Sequence, residues 1–102
     1  HTTPLPPKTV VIGEVGLAVA LATWSSLHTT PLPPKTVVIG EVGLAGEVRR
    51  VPNLERRLTE AARLGYENAI VPTGLTKKIP GMLVTQVGTV REAIGAVDKQ
   101  NA

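Results

Sequence analysis

The chain has 102 residues, no cysteine, an apolar share of 42% and a formal charge of +3. That length fits one small domain and excludes two, while the apolar share is too high for a wholly disordered chain. The missing cysteines exclude a disulfide framework, a thiolate zinc site and thiol redox chemistry, and they suit a reducing cytosol.

One feature governs every later count: residues 1–18, HTTPLPPKTVVIGEVGLA, recur letter for letter as residues 28–45. Six of the nine prolines, four of the ten glycines and both histidines lie inside the two copies. Each copy carries one lysine and one glutamate, so the net charge resides in the remainder, which holds nine basic and six acidic residues.

Residues 1–8 are Thr/Pro-rich, and Pro6 followed by Pro7 bars helix and central strand, which predicts an extended leader. The β-branched run 9–12 predicts a strand. From Glu14 the spacing predicts a helix, with Leu17, Ala18, Leu21, Trp24 and Leu27 on one face and Ala20 and Ala22 on others. A helix apolar on nearly all sides belongs in a core. Lys8, the apolar run 15–22 and the triplet Ala20, Leu21, Ala22 imitate a secretory signal. Glu14, the prolines and the return of the same segment at residue 28 argue against it, and the run falls far short of the roughly 20 residues that span a bilayer. A cytoplasmic location without membrane contact is expected.

The second leader, 28–35, precedes a strand over 36–42, a glycine-containing loop over 43–46 and a strand over 47–51, together a β-hairpin ended by Pro52. The string GEVGLA is therefore read as the start of a helix in the first copy and as hairpin in the second, so tertiary context must override local propensity in at least one of them. Asn53 is placed to cap a helix over 54–64, with Glu55 in its first turn, Leu54, Leu58, Ala61 and Ala62 on one face, and Gly65 as the stop. Residues 68–71 predict a buried strand closed by Pro72, residues 73–81 a loop, and residues 82–87 a further strand. Thr89 and Glu92 form a capping box ahead of Val90, Ala93, Ile94 and Val97, predicting a last helix that frays after Asp98. The order is β-α-β-β-α-β-β-α, an α/β domain with helices packed on a small mixed sheet.

No residue set speaks for catalysis. His1 and His28 are one histidine copied into a TTPLPP loop, without a second ligand at metal spacing, and read as solvated loop residues; no metal is expected. GEVGLAG lacks the G-K-[ST] ending of a phosphate loop and does not open a helix. Ser25 and Ser26 sit next to Trp24 at a helix end and read most simply as capping or packing residues. Glu41 and Glu47 read as residues on alternating strand faces before they read as paired acids. The positive charge is concentrated in Arg49, Arg50, Arg56, Arg57 and Arg63, interspersed with Glu47, Glu55 and Glu60. The competing reading is a solvated face on which Arg56 with Glu60 and Glu60 with Arg63 form helix surface pairs.

From Leu17 onward the chain resembles the C-terminal Lon-protease-like domain of the bacterial RadA/Sms DNA-repair family. The likeness rests on LAVALATWSSL at 17–27, VVIGEVGLAGEVRRV at 37–51, RRLTEAARLGYENAIVP at 56–72 and the T-x-x-E-A-I start of the last helix. The resemblance implies a partial Lon-like fold, related to the second domain of ribosomal protein S5, with the first copy standing where the family has upstream strands. It also implies where the peptidases' Ser–Lys dyad would fall, at Glu14 and Glu55. Neither carboxylate can replace a hydroxyl nucleophile or its amine base, so no peptidase activity is expected.

In that family an ATPase domain and a zinc finger precede the Lon-like domain, which scaffolds an oligomeric ring and contacts DNA. What the resemblance implies here is a non-catalytic module of a DNA recombination and repair ATPase, without cofactor or small-molecule substrate. The residues it suggests for contact with DNA or a neighbouring subunit are Arg49, Arg50, Arg56, Arg57, Lys77 and Lys78. The alternative is an engineered or segment-duplicated chain with no activity of its own, whose property is altered folding or strand-swapped homo-oligomerisation.

Overall fold

Residues 36–39 (TVVI) and 69–72 (AIVP) carry no charge and are buried without interruption, as strands of a parallel sheet covered on both faces must be. The computed structural model describes residues 10–11, 16–28 and 32–101, leaving aside the side chains of residues 10, 11, 100 and 101. In chain order the elements are β1 (Val10–Val11), α1 (Leu17–His28), β2 (Thr36–Val38), β3 (Glu41–Val42), β4 (Val48–Arg49), α2 (Leu54–Arg63), β5 (Asn68–Pro72), β6 (Leu83–Val87) and α3 (Val90–Asn101). The predicted α/β class, with helices on a small mixed set of sheets, is the one observed. The leader residues 1–9 and Glu14 lie outside the described residues.

The main sheet runs β1-β2-β5-β6 with every pair parallel, and β3 with β4 forms a separate antiparallel hairpin. Strand alternation distributes the side chains between two cores. Val38, Ile70 and Val87 face α1 and α3, packing with Leu17, Ala18, Leu21, Ala93 and Val97. Val37, Ile39, Ala69 and Val71 face the other way, against Leu58 and Ala61 of α2. Each fully buried Val, Leu or Ile contributes about 1.5–3 kcal/mol of transfer free energy. In register, Val10 pairs with Val37 and Val11 with Val38, so the strand of the first copy lies beside its own duplicate, each residue next to its twin.

The predicted strand over 36–42 is in fact two. Ile39 still donates its N–H to the Ile70 carbonyl (3.1 Å), but at Gly40 the chain leaves the sheet and β3 begins in the hairpin. The departure falls where the hairpin meets the start of α1, a place that admits only glycine. A Cβ at Gly40 would sit 3.0 Å from Val48 Cγ1 and 3.1 Å from Leu17 Cδ2, and one at Gly16 would sit 2.9 Å from the Val42 nitrogen. The two glycines let helix and hairpin touch, and Leu17 donates its N–H to the Gly40 carbonyl (3.2 Å).

The repeated string behaves as its neighbours dictate. Leu17 and Ala18 open α1, with Leu17 0% exposed, whereas Leu44 and Ala45 form the hairpin turn, with Leu44 wholly exposed. The expectation of an all-round buried helix is corrected: only Leu17, Ala18 and Leu21 are buried in α1, while Val19 is 48% and Leu27 77% exposed. His28 is not a loop residue either. It ends α1, donating from Nδ1 to the Trp24 carbonyl (3.0 Å) and stacking on the Trp24 ring at 5.0 Å.

Helix α2 stops as predicted. Tyr66 donates to the Ala61 carbonyl and Gly65 to that of Ala62, both at 3.1 Å, with Gly65 at φ 98°, which together form a Schellman stop. Its start departs from expectation. Asn53 adopts a left-handed conformation (φ 60°, ψ 34°) and gives no side-chain cap; only its carbonyl joins the helix, accepting from the Arg57 N–H at 3.0 Å. A side-chain cap needs the extended backbone that Asn53 lacks. At α3, Thr89 Oγ1 accepts the Glu92 N–H (3.1 Å) as a capping box requires, while the Glu92 carboxylate reaches one residue further back, to the Gly88 N–H (2.7 Å). The helix continues past Asp98 to Asn101.

Candidate nucleic-acid interface

The six basic residues singled out in the sequence do not form one patch. Arg49 projects from β4, where Nε and a terminal nitrogen donate to the Glu47 carboxylate at 3.3 and 3.0 Å, opposite Glu41 in the strand register. Glu47 also accepts the Ala45 N–H at 3.0 Å. Hydrogen bonding to its own backbone N–H, then to Arg49, holds the Glu47 carboxyl below its ordinary value. Arg49 thus belongs to a hairpin brace, and Glu41 and Glu47 are not a pair of free acids. The GEVGLAG string is confirmed as the turn of that hairpin, with Gly46 donating to the Gly43 carbonyl at 3.0 Å.

Arg50 points elsewhere. Its Nε donates to the Thr73 carbonyl at 3.2 Å, and with Arg56 it lines a hollow of about 400 Å³ at the start of α2. Asn53, Leu54, Glu55, Thr73 and Gly74 complete the walls. Leu54, Glu55 and Arg56 are the first residues of α2, whose amides have no intrahelical partner and carry the positive end of the helix dipole. Asn53 does not cover them with its side chain. Glu55 brings negative charge to this rim, countered by Lys77 with its Nζ 3.8 Å from the carboxylate. Among the described ion pairs Glu60 binds Arg63 at 3.0 Å, while the expected pair of Arg56 with Glu60 does not occur, which leaves Arg56 to the hollow.

Arg57 sits on the adjoining face of α2, where it and Arg56 border a second hollow with Ala61 and Leu64; its Nη1 is buried without a hydrogen-bond partner. Lys77 and Lys78 line a third hollow together with Leu75, Met82 and Gln86. Sequence reasoning missed the residues that build the wall opposite α2. Gln86 of β6 accepts the N–H groups of Gly74 and Leu75 at 2.9 and 3.0 Å and donates to the Leu75 carbonyl at 3.0 Å. A glycine following Pro72 and Thr73 marks a turn in the sequence, but nothing local announces that a residue twelve positions on will hold it. Among the described residues no three His, Asp or Glu side chains converge as metal ligands, and no helix is long and apolar enough to cross a membrane.

With this geometry in view, comparison with known proteins adds two findings. The sequence model of a family described as subunit ChlI of Mg-chelatase matches residues 7–74. The chain belongs to this family. The matched span runs from within the first copy, through α2 and β5, to Gly74 on the wall of the hollow.

The chain is also similar to DNA repair proteins named RadA. It is 49% identical over 90 residues to RadA of Mycolicibacterium smegmatis, 49% over 97 residues to that of Salmonella typhimurium, and 48% over 97 residues to that of Escherichia coli. These matches take in 88%, 93% and 93% of this chain but only 14%, 15% and 15% of the respective relatives. The chain therefore spans about one seventh of the length of those relatives.

Proposed function

We propose that this chain is a non-catalytic, Lon-like module of a RadA-type DNA repair protein, contributing phosphate contacts to DNA and a scaffold for self-association. One observation carries the DNA reading: Arg50 and Arg56 share a hollow with the uncapped first turn of α2. A phosphate seated there would receive guanidinium and backbone N–H donors together, with the helix dipole favouring its charge. Similarity to RadA supplies the nucleic-acid context, and Glu55 at the position of the peptidases' lysine argues against hydrolysis.

The geometry ranks the arginines, and that ranking is testable by fluorescence anisotropy on a labelled oligonucleotide across a salt series. Arg50 and Arg56 changed together to Ala should weaken binding and flatten the slope of log K against log salt by about 1.4, two contacts at about 0.7 each on single strands. Arg49→Ala should leave the slope nearly unchanged, since Arg49 is engaged by Glu47. Equal effects from both variants, or none from the double variant, would overturn the assignment.

A further inference from the structure

An arginine free to swing would contribute little at an exposed site, because ordering its long side chain opposes binding. Arg50 is not left to swing. Its Nε donates to Thr73, and its guanidinium occupies the space where a side chain on Gly74 would begin: a Cβ built there would coincide with the Nε, Cζ and Nη2 atoms. Gly74 has φ 111°, a conformation that other residues rarely adopt. The turn carrying Thr73 and Gly74 is itself held by Gln86, which satisfies both N–H groups of residues 74 and 75 and the carbonyl of residue 75. Nε is thus anchored, while Arg50 still lines the hollow and its terminal nitrogens keep donor capacity in a planar fork.

We propose that Gly74 and Gln86 are positioning residues, which act through the 73–75 turn to hold the Arg50 guanidinium at the mouth of the hollow, ready to receive a phosphate oxygen. The placement of Arg50 is read from this structure alone; that the oxygen belongs to DNA rests on the function proposed above. Neither residue needs to touch the nucleic acid. Gly74 provides the space, Gln86 fixes the turn around it, and the Thr73 carbonyl orients the fork.

The test is the Arg50 Nε–H resonance in a nitrogen-resolved NMR spectrum of the 102-residue chain, assigned by its loss in Arg50→Lys. A hydrogen-bonded Nε–H should be shifted and slow to exchange relative to exposed arginines. Gly74→Ala and Gln86→Leu should each return it to the exposed position. Gly81→Ala is the control: it places a side chain at φ 79° in the same loop, with no atom within 4 Å to meet, so it shares the backbone strain but not the collision. It should leave the resonance in place. In parallel, Gly74→Ala should weaken oligonucleotide binding about fivefold, comparable to losing one surface ion contact. If the resonance survives Gly74→Ala and Gln86→Leu, or disappears equally in Gly81→Ala, the positioning role is overturned. Loss of the resonance with unchanged DNA affinity upholds the positioning of Arg50 and instead refutes the DNA reading.

Discussion

The repeat offers a controlled experiment in which one substitution is made at two equivalent places. Leu17 and Leu44 occupy the same position in identical 18-residue strings. Leu17 is fully buried in the core shared by α1, α3 and the sheet, within reach of Gly40 and beside Val48, whereas Leu44 tips the hairpin turn in solvent. Truncating a fully buried leucine to alanine costs about 2–5 kcal/mol through lost transfer energy and the cavity left behind. Truncating an exposed one usually changes stability by less than about 0.5 kcal/mol. Taking about 3 kcal/mol for Leu17→Ala, the melting temperature of a domain this size should fall by roughly 12–24 °C. Urea unfolding followed by the fluorescence of Trp24, with thermal circular dichroism in parallel, measures both variants against the parent. Similar losses from Leu17→Ala and Leu44→Ala would refute the claim that sequence context sends these two leucines to opposite environments.

Two further outcomes follow from the hairpin brace. The folded-state pKa of Glu47 is depressed, so its contribution is present above the unfolded value of about 4.5 and is lost as pH falls through the folded value; the urea midpoint should decline over that acidic window, and Glu47→Gln should remove part of the decline, a pH profile identical to the parent's arguing against it. A Cβ on Gly43 would fall within the Glu47 carboxylate, so Gly43→Ala should push that exposed carboxylate away from Arg49 and the Ala45 N–H and lower the urea midpoint slightly, an effect that Glu47→Ala should largely abolish; strictly additive costs in a double-mutant cycle would exclude the contact.

Much of the architecture is legible in the residues. The runs within 36–42 and 68–71 read as strands because they are mostly apolar and β-branched, the helix stop at Gly65 follows from a glycine that takes φ 98° comfortably, and the T-x-x-E box opens the last helix. What escaped reading depends on partners distant in sequence. The break of the 36–42 strand falls at Gly40, where Leu17 of α1 and Val48 of the hairpin leave no room for a side chain. The exposure of Val19 and Leu27 on α1 reflects the packing of only one side of that helix. The same holds for the candidate site. A cluster of arginines was visible, but which of them face a carboxylate, a carbonyl or an open hollow is set by the hairpin register and by Gln86, and neither is encoded near the arginines themselves.

The arrangement of the strands also constrains the order in which this chain can fold. In the main sheet the paired residues Val10 with Val37, Thr36 with Asn68, and Asn68 with Leu83 lie 27, 32 and 15 positions apart. Each of those pairings must close a sizeable loop before any contact rewards it, which slows folding relative to local pairing. Glu41 with Arg49 and Val42 with Val48 are separated by only 8 and 6 positions. The hairpin is therefore expected to form early, presenting Val48 as a ready surface on which Leu17 can dock, and the segment that breaks the sheet's longest predicted strand becomes the piece around which the remaining layers gather.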